Sequence, residues 1–375
     1  MVLNETQSAI RDAVRAFAQD QIRPNSLSFE AAKAYPDSLF IEMATLGLMG
    51  MTAPEAVGGA EADYMSYALA LMEIAAADGA LSTIVSIQNS LIVAGLLKDG
   101  TPAQQERFLP DLIAGRLIGA FALTETDAGS DASAIRTRAV KVEGGYILNG
   151  SKQFITSGRI AGIAMVYAVT DPAAGKRGIT AFIVPTDSKG YAVDKVEHKL
   201  GQAASDTCAI RFDDVFVPDN LRLGAEGAGY GIALANLEAG RIGIAAQCIG
   251  MARAALDIAV DYAKERKSFG KPIIEHQAVG FRLADLAAKL EAARQLVLHA
   301  ASMKDAQLPC LAEASMAKLV ASETAEAVVS GALQTLGGYG YLEEFGVAKI
   351  YRDVRVCQIY EGTSDIQRMV IARSL

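Results

Sequence analysis

The spacing of apolar residues changes character twice along this chain, and that change limits the fold more than any single residue does. Up to about residue 117 the pattern is helical. Ile10, Val14, Phe17, Ala18 and Ile22 fall on one stripe, Asn4 followed by Gln7 reads as a capping box, and Pro24 punctuates the end. Pro54, Gly58 and Gly59 mark a loop, and Tyr64–Ala77 and residues 81–97 read as further helices. From about 118 to 226 short β-rich runs take over, at 137–142, 146–148, Ile163–Val169, 179–184 and 208–212. Gly144-Gly145 predicts a tight hairpin turn, and Pro172, Gly175 and Gly178 break another pair. From about 227 helix returns. Ala245, Ile249, Ala252, Leu256, Ala259 and Ala263 form one seam, and Leu283, Leu286, Leu290, Ala293, Val297 and Ala300 another, at the spacing of a left-handed helix bundle. Helices, then a small antiparallel sandwich or barrel, then a helical bundle make an α+β plan that is mainly α, not a doubly wound one. The expected domains are 1–117, 118–226 and 227–375, since 375 residues exceed what one core usually organises.

Composition excludes several functions. The net charge of −8 and a pI near 5.1 disfavour nucleic acid and anionic membranes as bulk electrostatic partners. Mean hydropathy is positive at +0.23, yet the most tempting apolar run, 242–260, is broken by Gln247, Arg253 and Asp257, so no membrane span is expected. Glu5, Asp12 and Asp20 argue against a targeting segment, which suggests a bacterial cytoplasmic protein or a processed mitochondrial matrix one. The four cysteines and three histidines are scattered, so no metal site is expected. Gly227, Gly229 and Gly231, and Gly337, Gly338 and Gly340, do not fit the dinucleotide loop of a βαβ unit. Gly337-Gly338 fits equally the end of the helix carrying Gln334.

The most informative stretch is Ile359-Tyr-Glu-Gly-Thr-Ser-Asp-Ile-Gln367. Read alone, Thr363 or Ser364 caps a last helix and Glu361 is a loop carboxylate ahead of it. Read with the rest of the chain, it resembles the acyl-CoA dehydrogenase family. So do Phe121-Ala-Leu-Thr-Glu-Thr-Asp-Ala-Gly-Ser-Asp131, Asn149-Gly-Ser-Lys-Gln-Phe-Ile-Thr156, Glu265-Arg-Lys-Ser-Phe-Gly270, Glu275-His-Gln-Ala278 and Gln334-Thr-Leu-Gly-Gly338, in the family's order and over nearly the whole chain.

The resemblance implies an N-terminal helical domain, a middle β-domain and a C-terminal four-helix bundle, with FAD between the last two and a homotetrameric assembly. It implies α,β-dehydrogenation of an acyl-CoA to the trans-2-enoyl-CoA, with Glu361 removing the α-proton and flavin N5 taking the β-hydride. A water-poor site would strengthen Glu361 as a base. Gly362 lets the backbone approach the acyl group, and the Glu361 N–H helps hold the thioester carbonyl. Some relatives carry the base just before an arginine resembling Arg241. Here that position is Gly240, which supports Glu361.

Cofactor contacts implied in the same way are Phe121, Leu123, Thr124, Ser130, Phe154, Ile155 and Thr156. Arg266, Ser268, Phe269, Gln277, Gln334, Gly337 and Gly338 bind pyrophosphate and adenosine, partly across a subunit interface. Thr363 and Asp365 make the last contacts. Ser130, Glu238, Arg241 and Gly362 face the substrate. Core packing is the alternative for Phe154. Thr126 departs from the family's Pro, Phe154 from its common Trp, and Asp365 from a longer Glu or Gln. Residues 88–91, 198–208 and 313–318 look most like short- or branched-chain members. Electrons are expected to pass to an electron-transfer flavoprotein. The alternatives are an acyl-CoA oxidase using oxygen, and a non-catalytic flavin-fold protein that binds DNA or a partner.

Overall fold

The computed structural model describes residues 2–375. Helix α1 (Glu5–Phe17) starts as expected. Asn4 Oδ1 accepts from the Gln7 N–H at 2.8 Å, and Gln7 Oε1 accepts from the Asn4 N–H at 3.1 Å. It widens into a π turn at Ala18–Ile22 and tightens at Arg23–Asn25, where Pro24 sits, before α2 (Ser26–Ala32) and α3 (Asp37–Thr45). Helix α4 (Tyr64–Ala77) is N-capped by Asp63, whose Oδ1 accepts from Ser66 N–H at 2.7 Å. Every residue from Met65 to Ala77 is buried, the mark of a helix surrounded by protein. Next, α5 (Gly79–Ile87) passes through a π stretch, Gln88–Val93, into α6 (Ala94–Asp99), and α7 (Pro102–Ile113) closes the block.

Strands β1 (Gly119–Ala122), β2 (Arg138–Val142), β3 (Gly145–Thr156), β4 (Ile163–Val169), β5 (Ile179–Pro185), β6 (Tyr191–Val196), β7 (Thr207–Pro218) and β8 (Arg222–Leu223) form one sheet. Its order is β6-β7-β3-β2-β4-β5-β8, with β1 added on β4. The sheet is mixed where an antiparallel one was expected. β1 runs parallel to β4, and β2 meets the end of β4 in parallel through Arg138 and Val169. Three strands of this sheet escaped the sequence reading for physical reasons, β8 because it is only two residues long. Gly-Ala-Phe-Ala in β1 has little intrinsic strand preference, and β6 is a largely exposed edge without an apolar face. Strands β3 and β7 run beyond the apolar runs that betray them, because their middles carry polar residues such as Ser151 and Arg211. The Gly144 turn joins β2 to β3 with φ at 76°. The Tyr146 and Phe182 rings, on strands not bonded to each other, meet at 5.0 Å in the interior, so the sheet curls around its core.

Helix α8 (Gly229–Glu265) opens the last block. A small hairpin, β9 (Lys267–Ser268) and β10 (Lys271–Pro272), leads to α9 (Gln277–Asp305), α10 (Leu311–Leu336), α11 (Val347–Val354) and α12 (Ser364–Ala372). Every residue of both predicted seams is buried. Gly227 belongs to a joint, not a ligand loop: its N–H donates to Thr180 Oγ1 at 2.9 Å, and Gly229 lies too close to the Thr180–Ala181 backbone to admit a Cβ.

Helix α4 packs against α8 and α9, so the first and last helical blocks share one core. Residues from Ile87 to Ile113 pack instead on the sheet in a second core. Two helical stretches, Gly79–Asp99 and Gly229–Glu265, are long and apolar enough to cross a bilayer, but 89% and 83% of their most apolar windows are buried inside the protein. Their apolar surface is already covered by protein.

Candidate active site

The segment before α12 makes an unusual turn. Glu361 has φ at 51° and Gly362 at 92°, two successive left-handed residues. That conformation costs a non-glycine residue about 1–2 kcal/mol, so the surroundings must hold it. Thr363 then caps α12, its Oγ1 accepting from the Ile366 N–H at 3.3 Å. Two donors converge on the turn. Lys318 Nζ, from α10, donates to the Gly362 carbonyl at 2.8 Å. Gln367 Nε2, from α12, donates to the same carbonyl at 2.9 Å and to the Glu361 carbonyl at 3.3 Å.

The turn drives the Glu361 side chain inward. The residue is half-buried, but its Oε2 is sealed from solvent and has no hydrogen-bond partner. Oε2 lies against Gly240 of α8, where a Cβ would collide with it. A single site therefore brings together the carboxyl and the empty position that the sequence analysis weighed as alternative bases. Burial pushes the Glu361 carboxyl up to about 7, with Lys318 and Arg241 opposing the rise. Arg241 is buried, and its Nε and Nη1 also lack partners. Burial pushes its guanidinium down, against the opposing pull of Glu361 and Glu238. An unpaired carboxylate oxygen and unpaired guanidinium donors in one water-poor place are a strained arrangement in the ground state and a useful one for a bound ligand.

Tyr360, the residue before Glu361, opens a chain of buried hydrogen bonds. Tyr360 Oη donates to Gln247 Oε1 at 2.6 Å, and Gln247 Nε2 donates to Thr83 Oγ1 and the Gly79 carbonyl, each at 2.6 Å. The Thr83 hydroxyl donates in turn to Gln202 Oε1 at 2.8 Å. Gly240, Gly243 and Gln247 share one face of α8, and at Gly243 a Cβ would lie 2.9 Å from Tyr67 Oη.

The expected cofactor residues fall into two groups. In the first, the Gln153 N–H donates to the Thr124 carbonyl at 2.8 Å, joining the end of β1 to β3. Along these two segments Phe121, Thr124 and Thr156 are half-buried, whereas the Leu123 and Ile155 side chains are buried in the core and leave only their backbone for a ligand. The β3–β7 register slips between Lys152 and Ile155, and Phe154, with φ at 60°, is thrown outward to 63% exposure. Packing into the core is therefore not what holds that ring. Beneath the patch Lys152, fully buried, donates to the Leu123 carbonyl at 3.0 Å and to Glu125 Oε1 at 2.8 Å. Glu125 also accepts the N–H groups of Arg136 and Thr137. Ser130 is exposed on the loop that this pair anchors.

The second group lies at the far end of α8. Arg266, Gly337 and Gly338 line a cavity of about 480 Å³ with Tyr262 and Tyr339. Gly337 ends α10 with φ at 62°, and nothing lies within 4 Å of where its Cβ, or that of Gly338, would stand. Helix terminus and open cradle are thus the same feature. Ser268 Oγ bonds His276 Nε2 at 3.1 Å, and Phe269 is 97% exposed. Gln277 and Gln334 are exposed at helix ends, and Asp365 pairs with Arg368 at 3.4 Å. Glu238 meets Lys304 at 3.4 Å on the outer part of α8. An exposed aromatic ring on one surface, with a guanidinium beside a Cβ-free cradle on the other, suits a dinucleotide with a flat ring and a pyrophosphate.

Sequence reasoning did not assign roles to Lys318, Gln367, Gln247 or the Lys152–Glu125 pair. A signal for Lys318 existed: it is the one charged residue on the buried face Ala314, Ala317, Ala321, Ala325 of α10.

Comparison with known proteins agrees with this geometry. Models of the acyl-CoA dehydrogenase N-terminal, middle and C-terminal domains match residues 4–116, 120–215 and 227–375. An acyl-CoA dehydrogenase of Bacillus subtilis is 46% identical over all of this chain and 99% of its own length. The caffeyl-CoA reductase-Etf complex subunit CarC of Acetobacterium woodii is 44% identical, over 100% of this chain and 99% of its own. The structure of butyryl-CoA dehydrogenase from Megasphaera elsdenii superimposes with a TM-score of 0.97 at 41% identity, covering 100% of this chain and 99% of that one. On these matches and this architecture, the chain belongs to the acyl-CoA dehydrogenase family.

Proposed function

We propose that this chain oxidises a short or branched acyl-CoA to the trans-2-enoyl-CoA, with Glu361 as the base that takes the α-proton. The observation that carries the reading is the sealed, unpartnered Glu361 Oε2 facing Gly240. A carboxyl raised to about 7 is a far better proton acceptor than an ordinary one, yet about half of it is still ionised at neutral pH. Gly362, lacking a Cβ, and the Glu361 N–H receive the thioester carbonyl, where charge develops as the proton leaves. Arg241, with two free donors, and Glu238 face the CoA side.

FAD is held by Phe121, Leu123, Thr124, Ser130, Phe154, Ile155 and Thr156 around its ring system, and by Arg266, Ser268, Phe269, Gln277, Gln334, Gly337 and Gly338 at its pyrophosphate and adenosine. Thr363 and Asp365 complete the set. When bound, FAD supplies the hydride acceptor that no side chain provides. Lys152 and Glu125 fix the Leu123 carbonyl, so the Leu123–Thr124 backbone presents itself in one orientation.

The hydrogen-bonded Gln247, Tyr360 and Thr83 are the proposed end of the acyl pocket, which a longer chain would have to break open. The butyryl-CoA enzyme among the solved structures is consistent with this. An electron-transfer flavoprotein is the expected acceptor, supported by the relative that is a subunit of an Etf complex. The exposed Phe269 and the open Gly337-Gly338 cradle favour completion of the cofactor site by a second subunit, within a homotetramer. Domains 1–117, 118–226 and 227–375, in the cytoplasm of a bacterium, complete the reading.

The test is anaerobic titration of the purified yellow protein with acyl-CoAs of increasing length and branching. Flavin reduction is expected with butyryl-CoA or 2-methylbutyryl-CoA, and reduction by none of the panel would overturn the reading. Rapid oxygen uptake with the same substrates would mark an oxidase instead.

A further inference from the structure

The Lys318 side chain is out of place in ordinary packing terms. It is fully buried on α10, among Ala314, Ser315, Ala317, Ala321 and Ser322. Among the described residues no carboxylate lies within ion-pair distance of it, whereas the other fully buried lysine, Lys152, pairs with Glu125. Its hydrogen bond goes to a main-chain carbonyl, that of Gly362. An ammonium held so far from water, and spent on a neutral acceptor, costs more than it returns unless the carbonyl matters. That carbonyl closes the left-handed turn on which the Glu361 side chain depends.

We infer that Lys318 is a positioning residue for the reaction, its buried ammonium clamping the Glu361–Gly362 turn through the Gly362 carbonyl. The inference rests on Glu361 acting as the base. Gln367 grips the same carbonyl from α12, so the turn is held from two helices. Without the clamp, Glu361 relaxes toward negative φ, and a φ change at that residue swings the carboxyl away from Gly240. The ammonium has a second effect. Its charge, with that of Arg241 on α8, favours the ionised carboxyl. The other titratable groups facing these two from the packed elements are Tyr67 on α4, Cys248 on α8 and Cys357 ahead of the turn. Lys318 thus couples the geometry of the base to its charge state.

The experiment compares wild type with Lys318→Met, Lys318→Gln and Lys318→Arg, each loaded with FAD. The rate of anaerobic flavin reduction by butyryl-CoA is followed from pH 5.5 to 9. Wild-type reduction is measured first: its absence defeats the base assignment, not the role of Lys318. Lys318→Met removes donor and charge. Its acid limb is expected to move up by about one pH unit, an extra tenfold loss at pH 6 over the loss at pH 9. Lys318→Gln keeps a donor for the carbonyl, and its limb is expected to rise with a smaller loss at pH 9. Lys318→Arg is expected to return the limb to its wild-type position. If Lys318→Met yields no folded flavoprotein, the Lys318→Gln limb decides. Variants without charge whose limb stays at the wild-type pH, with rates unchanged or lowered equally at every pH, would overturn the proposal.

Discussion

Replacing Glu361 with Gln is expected to stabilise the folded protein, and only at the alkaline end of its range. The carboxyl titrates near 7 in the fold and at an ordinary 4.5 when the chain unfolds. The folded state therefore holds this proton more tightly. Its contribution is fully present below about 4.5, fades as pH rises toward 7, and is gone above that, where the fold carries a buried carboxylate it would rather keep neutral. The span from 4.5 to 7 corresponds to about 3 kcal/mol. A glutamine has the shape of the neutral acid and carries no such penalty. With an unfolding entropy of about 2 cal/mol/K per residue, about 3 kcal/mol moves the midpoint of a chain this long by about 4 °C. The assay is thermal unfolding of FAD-loaded wild type and Glu361→Gln, without substrate, at pH 5 and pH 8.5. The variant's advantage is expected to be small at pH 5 and to grow by about 4 °C at pH 8.5. A difference independent of pH, or a wild type that is the more stable at pH 8.5, would refute the claim that Glu361 is desolvated.

Three further outcomes follow from the same contacts. Gly240→Ala places a methyl group against Glu361 Oε2, so flavin reduction by acyl-CoA is expected to slow about 100-fold at unchanged FAD content, since displacing a reacting group by about 1 Å costs that much. Gln247→Ala opens the proposed end of the acyl pocket beside Tyr360; the ratio of kcat/KM for hexanoyl-CoA over butyryl-CoA is expected to rise about tenfold or more, each methylene being worth about 1–3 kcal/mol. Lys152→Met strands Glu125 in the interior, and a loss of about 3–5 kcal/mol is expected, read as a lowered unfolding midpoint and weakened FAD retention.

The parts of this molecule that repeat were legible in the sequence. The α8 and α9 seams could be read residue by residue, because a helix buried along one stripe must repeat apolar residues at that period. The Asn4–Gln7 cap and the Gly144 turn were legible because their chemistry is local. Strand β1 was not, since Gly119–Ala122 becomes a strand by lying beside β4 and not by its own preference. Among the site residues, Glu361 and the empty Gly240 could be paired only through family resemblance, for 121 residues of chain separate them and no periodicity connects them. Gln247 carries no local signature of function, and Lys318 shows only a charge on an otherwise apolar helix face. What they do depends on Gly362 and Tyr360 being folded against them.

If Glu361 removes the proton, the chemical step must depend on its carboxyl. The most direct test is the rate of anaerobic flavin reduction by butyryl-CoA in wild type and Glu361→Gln, each carrying a full complement of FAD. The wild-type rate is expected to climb with pH through about 7, and the variant to be slower by about 100- to 10,000-fold with that dependence gone. A glutamine variant that reduces its flavin at the wild-type rate would contradict Glu361 as the base.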